Sequence, residues 1–209
     1  VVDSPDLSLN ISRELLQHDR QLRVIGTSLE KKVRADLEKF LKDDRAGYEQ
    51  FYENFGRAIG FGIAGPDGER RKDALQDLLL FYSSTEKKLV TLREYVDRMA
   101  ESQKYIYYAA GESAAAIDHL PQTELLKEKN YEVLYLTGET DEFTLQMLGK
   151  YADHEFRSIL DGELDLGGEE QKDIDEKPAL MQFVKEVLGD RIKEAKVSRR
   201  LKTHPVCMT

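Results

Sequence analysis

The stretch Lys104–Ala110, KYIYYAA, decides the fold of the second half of this chain. It combines aromatic, β-branched and small apolar residues in one run, and Gly111 ends it, which is typical of a buried strand. A second run of this kind, Tyr131–Leu136 (YEVLYL), follows after an interval of helical pattern. Strand, helix and strand in this order favour parallel strands joined by a right-handed crossover.

The two strands belong to similar segments, IYYAAGES (106–113) and VLYLTGET (133–140), which are 27 residues apart. In each, Gly-Glu follows the strand and Ser or Thr then begins a helix. Two strand–helix units under the same geometric demands explain this similarity, and so does a duplication; both interpretations stay open. A helix predicted over 141–149 leads to a third strand at 155–160. The predicted α/β part, 101–160, is therefore a small sandwich with a three-stranded, mainly parallel sheet.

The first half has the period of amphipathic helices, with apolar residues three and four positions apart. Short turns rich in Gly, Pro and Ser separate the segments. We predict a helical subdomain over 12–100, whose third helix runs from about residue 69 to 81. The apolar stripes are Leu22, Ile25, Leu29, Val33, Leu37 and Leu41; Tyr48, Phe51, Tyr52, Phe55, Ile59 and Ile63; Leu75, Leu78 and Leu79; and Leu92, Tyr95, Val96 and Met99.

Composition excludes several classes of protein. The chain of 209 residues carries 31 Lys and Arg against 40 Asp and Glu. Its net charge of −9 does not supply the positive electrostatic field that binding to nucleic-acid phosphates requires. The longest apolar run, 105–110, is six residues, far below the ~20 that cross a membrane. The single cysteine, Cys207, forms no internal disulfide. We expect a cytoplasmic protein and, since it starts at Val1 without a signal peptide, a part of a longer chain.

Two motifs do not predict a site. Gly60–Gly65, GFGIAG, has the letters of a dinucleotide-binding loop, but a helix precedes it and a Pro-Asp-Gly turn follows. These glycines are more typical of a helix end. The four histidines are scattered without ligand spacing, so no metal site is predicted.

One local conflict points to function. Ser12 is a good helix N-cap, yet Arg13 places a cation in the first turn, where the helix dipole favours anions. Free amides and a guanidinium together suit a phosphate, and Gln17 lies one turn further on the same face. A surface arginine in a capped helix and an arginine directed at phosphate are both open at this point.

Residues 1–17, VVDSPDLSLNISRELLQ, resemble the signature at the junction inside the middle domain of the heat shock protein 90 family of molecular chaperones, most closely its bacterial members. Further collinear segments extend the resemblance over the whole chain. They are YEQFYENFG, LLLFYSS, VTLREYVDRM, QKYIYYAAGES, YEVLYLTGETDEF and VSRRLKTHPVCMT.

The resemblance implies an ATP-dependent chaperone that assists the folding of client proteins. ATP with Mg would bind mainly in an N-terminal domain that lies outside this chain, so the chain alone would be inactive as an ATPase and bind no cofactor itself. Arg13 matches the arginine that reaches the γ-phosphate, and Gln17 matches the glutamine beside it. Asn10 and Ser12 lie in the same catalytic loop.

The resemblance also implies a client-binding surface, for which Glu142, Phe143 and Gln146 are the candidates. The alternative is that Phe143 is a partly buried helix residue. Expected partners are the protein's own N-terminal ATPase domain, partly folded clients and cochaperones, with a homodimer at full length and a monomer for this chain.

The implied organisation has five parts. Residues 1–11 end an upstream strand and form the catalytic loop, and 12–100 and 101–160 are the helical and α/β subdomains of a middle domain. Residues 161–178 form an acidic linker, and 179–209 begin a C-terminal domain as a truncated α+β piece. In that piece, the sequence predicts a short helix over 179–188 and strand-like segments at 192–197 (IKEAKV) and 205–209 (PVCMT). Two rivals remain: a non-catalytic interaction scaffold, and a self-contained enzyme, which would show a perturbed carboxylate or histidine in a deep pocket.

Overall fold

The computed structural model describes residues 20–160, 178–197 and 206. The chain divides into two compact units, Val1–Leu79 and Leu80–Thr209. Within the described ranges, no helix is both long enough and apolar enough to cross a membrane.

The first unit is helical, as predicted. Helices α1 (Arg20–Asp43), α2 (Arg45–Ala64) and α3 (Gly68–Leu75) follow each other through short turns. Asp44 separates the first two, and its carboxylate caps α2 by accepting a hydrogen bond of 2.9 Å from the amide of Gly47. The glycines of the GFGIAG segment lie within α2 and at its C-cap, Gly65, so the interpretation as a helix end is confirmed.

The core of the first unit forms around Tyr48. Its ring is fully buried, and its hydroxyl donates a hydrogen bond of 2.7 Å to the carbonyl of Leu78. Ile63 of α2 is buried in the same unit. Gly68 begins α3 so close to the end of α2 that a side chain there would overlap the carbonyl of Ile63.

The prediction that the third helix reaches residue 81 was wrong. Helix α3 ends at Leu75, a 3₁₀ turn covers Gln76–Leu78, and strand β1 (Phe81–Ser83) follows. Leu75, Leu78 and Leu79 keep a helical spacing, but Tyr82 pairs with Tyr135 across the sheet, a distant partner that a local pattern does not reveal. The sheet thus begins before residue 101.

The second unit is built on a mixed six-stranded sheet, which confirms the α/β class. Its three central strands are parallel, as predicted: β4 (Val133–Leu136) and β6 (His154–Ser158) flank β3 (Ile106–Ala110). Three short antiparallel strands that the sequence did not predict extend the edges. They are β1 beside β4, β2 (Leu89–Val90) beside β1, and β5 (Lys150–Tyr151) beside β6.

Four short helices accompany this sheet: α4 (Leu92–Val96), α5 (Ala114–Asp118), α6 (Glu124–Glu128) and α7 (Asp141–Leu148). Helices α4 and α7 lie within a few residues of their predicted positions, and α5 and α6 lie in the predicted helical interval between the first two parallel strands. Tyr107 of β3 stacks on Tyr131 at 6.0 Å between ring centroids. Both rings belong to a core that includes residues of β3, of β4 and of the helices between these strands. The buried members of that core are Tyr107, Ala109, Ile117, Leu126, Tyr131, Val133, Tyr135 and Ile159.

Beyond the sheet, helix α8 (Pro178–Leu188) confirms the helix predicted from residue 179. The strand-like pattern at 192–197 was misleading, because these residues form no strand. A strand forms only where a partner edge accepts its backbone hydrogen bonds, and β-branched residues such as Ile192 and Val197 do not show whether such an edge exists. Residues 161–177, most of the expected acidic linker, and the final PVCMT segment except Val206 lie outside the described residues.

Candidate functional site

Helix α7 presents an apolar pair to solvent on the sheet unit. Phe143 is 52% exposed and Met147 is 45% exposed, one turn further along the helix. Gln146, also exposed, lies beside them. The opposite side of the helix consists of Thr144, Leu145 and Leu148, all buried.

The elbow between β4 and α7 is closed by two hydrogen bonds between the same two residues. The amide of Gly138 donates to the carboxylate of Asp141 at 2.9 Å, and the amide of Asp141 donates to the carbonyl of Gly138 at 3.1 Å. Burial raises the pKa of Asp141, while the Gly138 amide acts in the opposite direction. Asp141 thus holds a partly desolvated carboxylate against the backbone at the start of the helix.

The helix is also fixed near its middle and at its end. The hydroxyl of Thr144 donates to the carbonyl of Thr140 at 2.9 Å. Gly149 ends the helix with φ at 72°, a conformation that favours glycine, and its amide donates to the carbonyl of Leu145 at 2.9 Å. These contacts hold α7 as a short rigid support for the exposed Phe143 and Met147.

A comparison with known protein families gives a match over the full length of the chain. The model of the family described as "Hsp90 protein" matches residues 1–209, the whole chain. This chain belongs to the Hsp90 family.

Bacterial relatives give the same result. Proteins named "Chaperone protein HtpG" from Halalkalibacterium halodurans and Clostridium acetobutylicum are each 53% identical to this Hsp90-family chain, and the one from Bacillus subtilis (strain 168) is 51% identical. Each match covers 100% of the chain and 34% of the relative. The chain spans about a third of the length of the curated relatives that it matches.

Within this Hsp90-family chain, the structure brings the three predicted client-binding residues together on α7. Phe143 and Gln146 are exposed and Glu142 is half-buried. Met147 was not among the predicted residues, although its spacing of four from Phe143 is the signal for a shared helix face. Asp141 was not predicted either, because an acidic residue in the first turn of a helix is usually explained by its favourable interaction with the helix dipole.

The other predicted site residues, Asn10, Ser12, Arg13 and Gln17, lie outside the described residues. Their roles toward ATP stay predictions. In the described ranges, no group of three or more His, Cys, Asp or Glu side chains is placed to hold a metal ion.

A second polar cluster lies at the end of α5, around Asp118. The phenol of Tyr135 donates a hydrogen bond of 2.5 Å to its carboxylate, and the ammonium groups of Lys87 and Lys127 each lie 3.3 Å away. The Tyr135 hydrogen bond, aided by the two lysines, lowers the pKa of Asp118 to about 2. A carboxylate held ionised by three donors suits a structural link better than general acid–base catalysis, which needs a pKa near the working pH.

Proposed function

We propose that this chain is part of an ATP-dependent molecular chaperone and that the exposed face of α7 binds partly folded client proteins. Membership of the Hsp90 family and the relatives' printed name, chaperone, support the general role. The observation that carries the specific one is the exposed pair Phe143 and Met147 on a helix whose other face is buried.

The chemistry of this face suits clients that lack a fixed shape. An aromatic ring supplies a large apolar contact, and a flexible thioether adapts to irregular partners. Gln146 and Glu142 add hydrogen-bonding groups along the border, which suit the exposed backbone of an incompletely folded chain. A rigid support keeps the free-energy cost of ordering the surface small when a client binds.

The test is the suppression of client aggregation by a full-length protein that carries the Phe143→Ala substitution. We expect about threefold weaker suppression or more, because alanine removes the largest apolar side chain of the face. Phe55→Ala is the matched control, since Phe55 is 54% exposed but lies on α2. Unchanged suppression by a folded Phe143→Ala protein, or an equal loss in the Phe55→Ala control, would contradict this assignment.

We propose further that Arg13 acts on ATP bound in an N-terminal domain of the full-length protein, with Gln17, Asn10 and Ser12 beside it. ATP with Mg supplies the scissile phosphoanhydride and its charge; the arginine would stabilise negative charge that develops on the γ-phosphoryl oxygens. The conflict that the sequence predicts between Arg13 and the dipole of a helix capped by Ser12 supports this role, because local rules are broken most often at functional sites.

The expected setting follows from the family. We propose that the chain covers the later part of a middle domain and the start of a C-terminal domain, in a cytoplasmic homodimer that works with cochaperones. An interaction scaffold without catalysis is the alternative, and it would tolerate the loss of Arg13.

A further inference from the structure

The two strand–helix units of the sheet begin their helices differently. In the first, the hydroxyl of Ser113 caps α5 by accepting a hydrogen bond of 3.2 Å from the amide of Ala116. In the second, Thr140 stands at the equivalent position and makes no side-chain cap. Asp141, the first residue of α7, instead reaches backwards to the amide of Gly138.

This backward contact is tight. A methyl group on Gly138 would lie 2.6 Å from one carboxylate oxygen of Asp141 and 2.8 Å from the other, so the carboxylate packs directly against the glycine. The return hydrogen bond from the Asp141 amide closes the elbow into a ring. An ordinary cap neutralises amides inside the helix, whereas this ring ties the helix to the end of the preceding strand.

The rotational setting of α7 matters for the proposed surface. Consecutive helix residues are about 100° apart around the axis, so a shift of one position would put Phe143 where buried Thr144 now stands. Phe143 would then turn toward the side that Leu145 and Leu148 occupy. The Asp141 carboxylate reaches Gly138 only when the helix begins at this residue, so the ring fixes which side chains face solvent.

We propose that Asp141 is a positioning residue of the client-binding surface, whose ring with Gly138 sets the orientation of α7 and keeps Phe143, Gln146 and Met147 exposed together. This inference rests on the proposed client-binding role of α7. Asp141 itself touches the elbow and acts on the client only through the helix.

The test uses the 209-residue chain and measures its affinity for a fluorescent, permanently unfolded protein, reduced and carboxymethylated lactalbumin. Asp141→Ala removes the acceptor, and Gly138→Ala pushes the carboxylate away without changing any charge. We expect both to weaken binding about threefold or more, while Asp141→Asn, which keeps an acceptor oxygen, stays within about twofold of the parent. Glu112→Ala removes an exposed acid from the matching elbow of the first unit and should leave the affinity unchanged.

A double-mutant cycle separates positioning from general stabilisation. If Asp141 acts through the helix face, Asp141→Ala should cause a smaller loss in a chain that already carries Phe143→Ala than in the parent, because Phe143 can no longer be misplaced. An equal additional loss there would overturn the proposal, as would full affinity of the Gly138→Ala chain. Where Asp141→Ala does not fold, Gly138→Ala and Asp141→Asn decide the question. A Phe143→Ala chain that binds like the parent would instead contradict the proposed function itself.

Discussion

The hydroxyl of Tyr95 donates a hydrogen bond of 2.7 Å to the carbonyl of Glu132, which links α4 to the residue before the central strand β4. The same oxygen accepts from the side chain of Gln103 at 2.8 Å and from the amide of Tyr107 at 3.0 Å. Tyr95 is fully buried, and burial raises the pKa of its phenol. One oxygen atom thus satisfies three polar groups from three segments of the sheet unit.

Tyr95→Phe should lower the free energy of unfolding by about 2–3 kcal/mol, because it leaves buried polar groups without a partner. Urea unfolding of the chain measures the loss. Tyr131→Phe is the matched control, since the Tyr131 hydroxyl makes one contact of 3.0 Å, with Ser102, and should cost about 1 kcal/mol. Equal losses for the two variants would contradict the central role of Tyr95.

The stability of the chain should depend on acid through Asp118. Its pKa in the folded chain is about 2, below the ordinary value near 4, so its contribution is present above pH 4 and is lost as pH falls through 2. Because the side chain is 34% exposed, solvent screening reduces the effect to about 1 kcal/mol. Urea unfolding between pH 4 and pH 2 should show this loss in the parent.

Two variants separate Asp118 from other acids. Asp118→Asn should remove this part of the pH dependence, and Tyr135→Phe should move it to higher pH by deleting the hydrogen bond that lowers the pKa most. The same pH slope in Asp118→Asn as in the parent would show that the stabilising carboxylate is elsewhere.

Two glycines of the helical unit should respond in opposite ways to alanine. Gly68→Ala would overlap the backbone of Ile63, so we expect a loss of about 2–3 kcal/mol. Gly26→Ala places a methyl in open space within α1 and should stabilise by about 0.5–1 kcal/mol through helix propensity. Thermal unfolding followed by circular dichroism distinguishes them, and a neutral Gly68→Ala would contradict the close approach of α2 and α3.

Arg13→Ala in the full-length protein should lower ATP turnover at least about tenfold, which corresponds to about 1.4 kcal/mol of barrier, with nucleotide affinity little changed. Arg23→Ala removes an exposed cation from α1 and serves as the control. Steady-state hydrolysis and nucleotide titration measure the two effects. Unchanged turnover in Arg13→Ala would favour the scaffold over the ATPase role.

The parallel centre of the sheet was predictable because the Lys104–Ala110 and Tyr131–Leu136 runs carry strong local strand patterns. Strands β1, β2 and β5 are three residues or fewer, and each is defined by a neighbour rather than by its own period. Phe81 directly follows the leucine run Leu78–Leu80, and the helical spacing of Leu75, Leu78 and Leu79 extends the predicted helix through it. Only the pairing with β4 ends that ambiguity.

For the candidate site, the sequence predicted the helix and three of its residues but not which side faces solvent. Phe143 and Leu145 are both apolar, yet one is half-exposed and the other fully buried. That difference depends on which side of α7 packs against the rest of the unit and, under our proposal, on the Gly138–Asp141 elbow. Local periodicity in eight residues does not determine either of these.

The central claim is that clients contact the exposed face of α7, and the methyl group of Met147 reports on it directly. The chain has four methionines, so carbon-13 methyl spectra resolve few signals and allow assignment by substitution. On titration with reduced, carboxymethylated lactalbumin, the Met147 signal should shift or broaden, while that of half-buried Met99 in the same unit should stay in place. Binding of the unfolded protein without any change at Met147 would contradict the account.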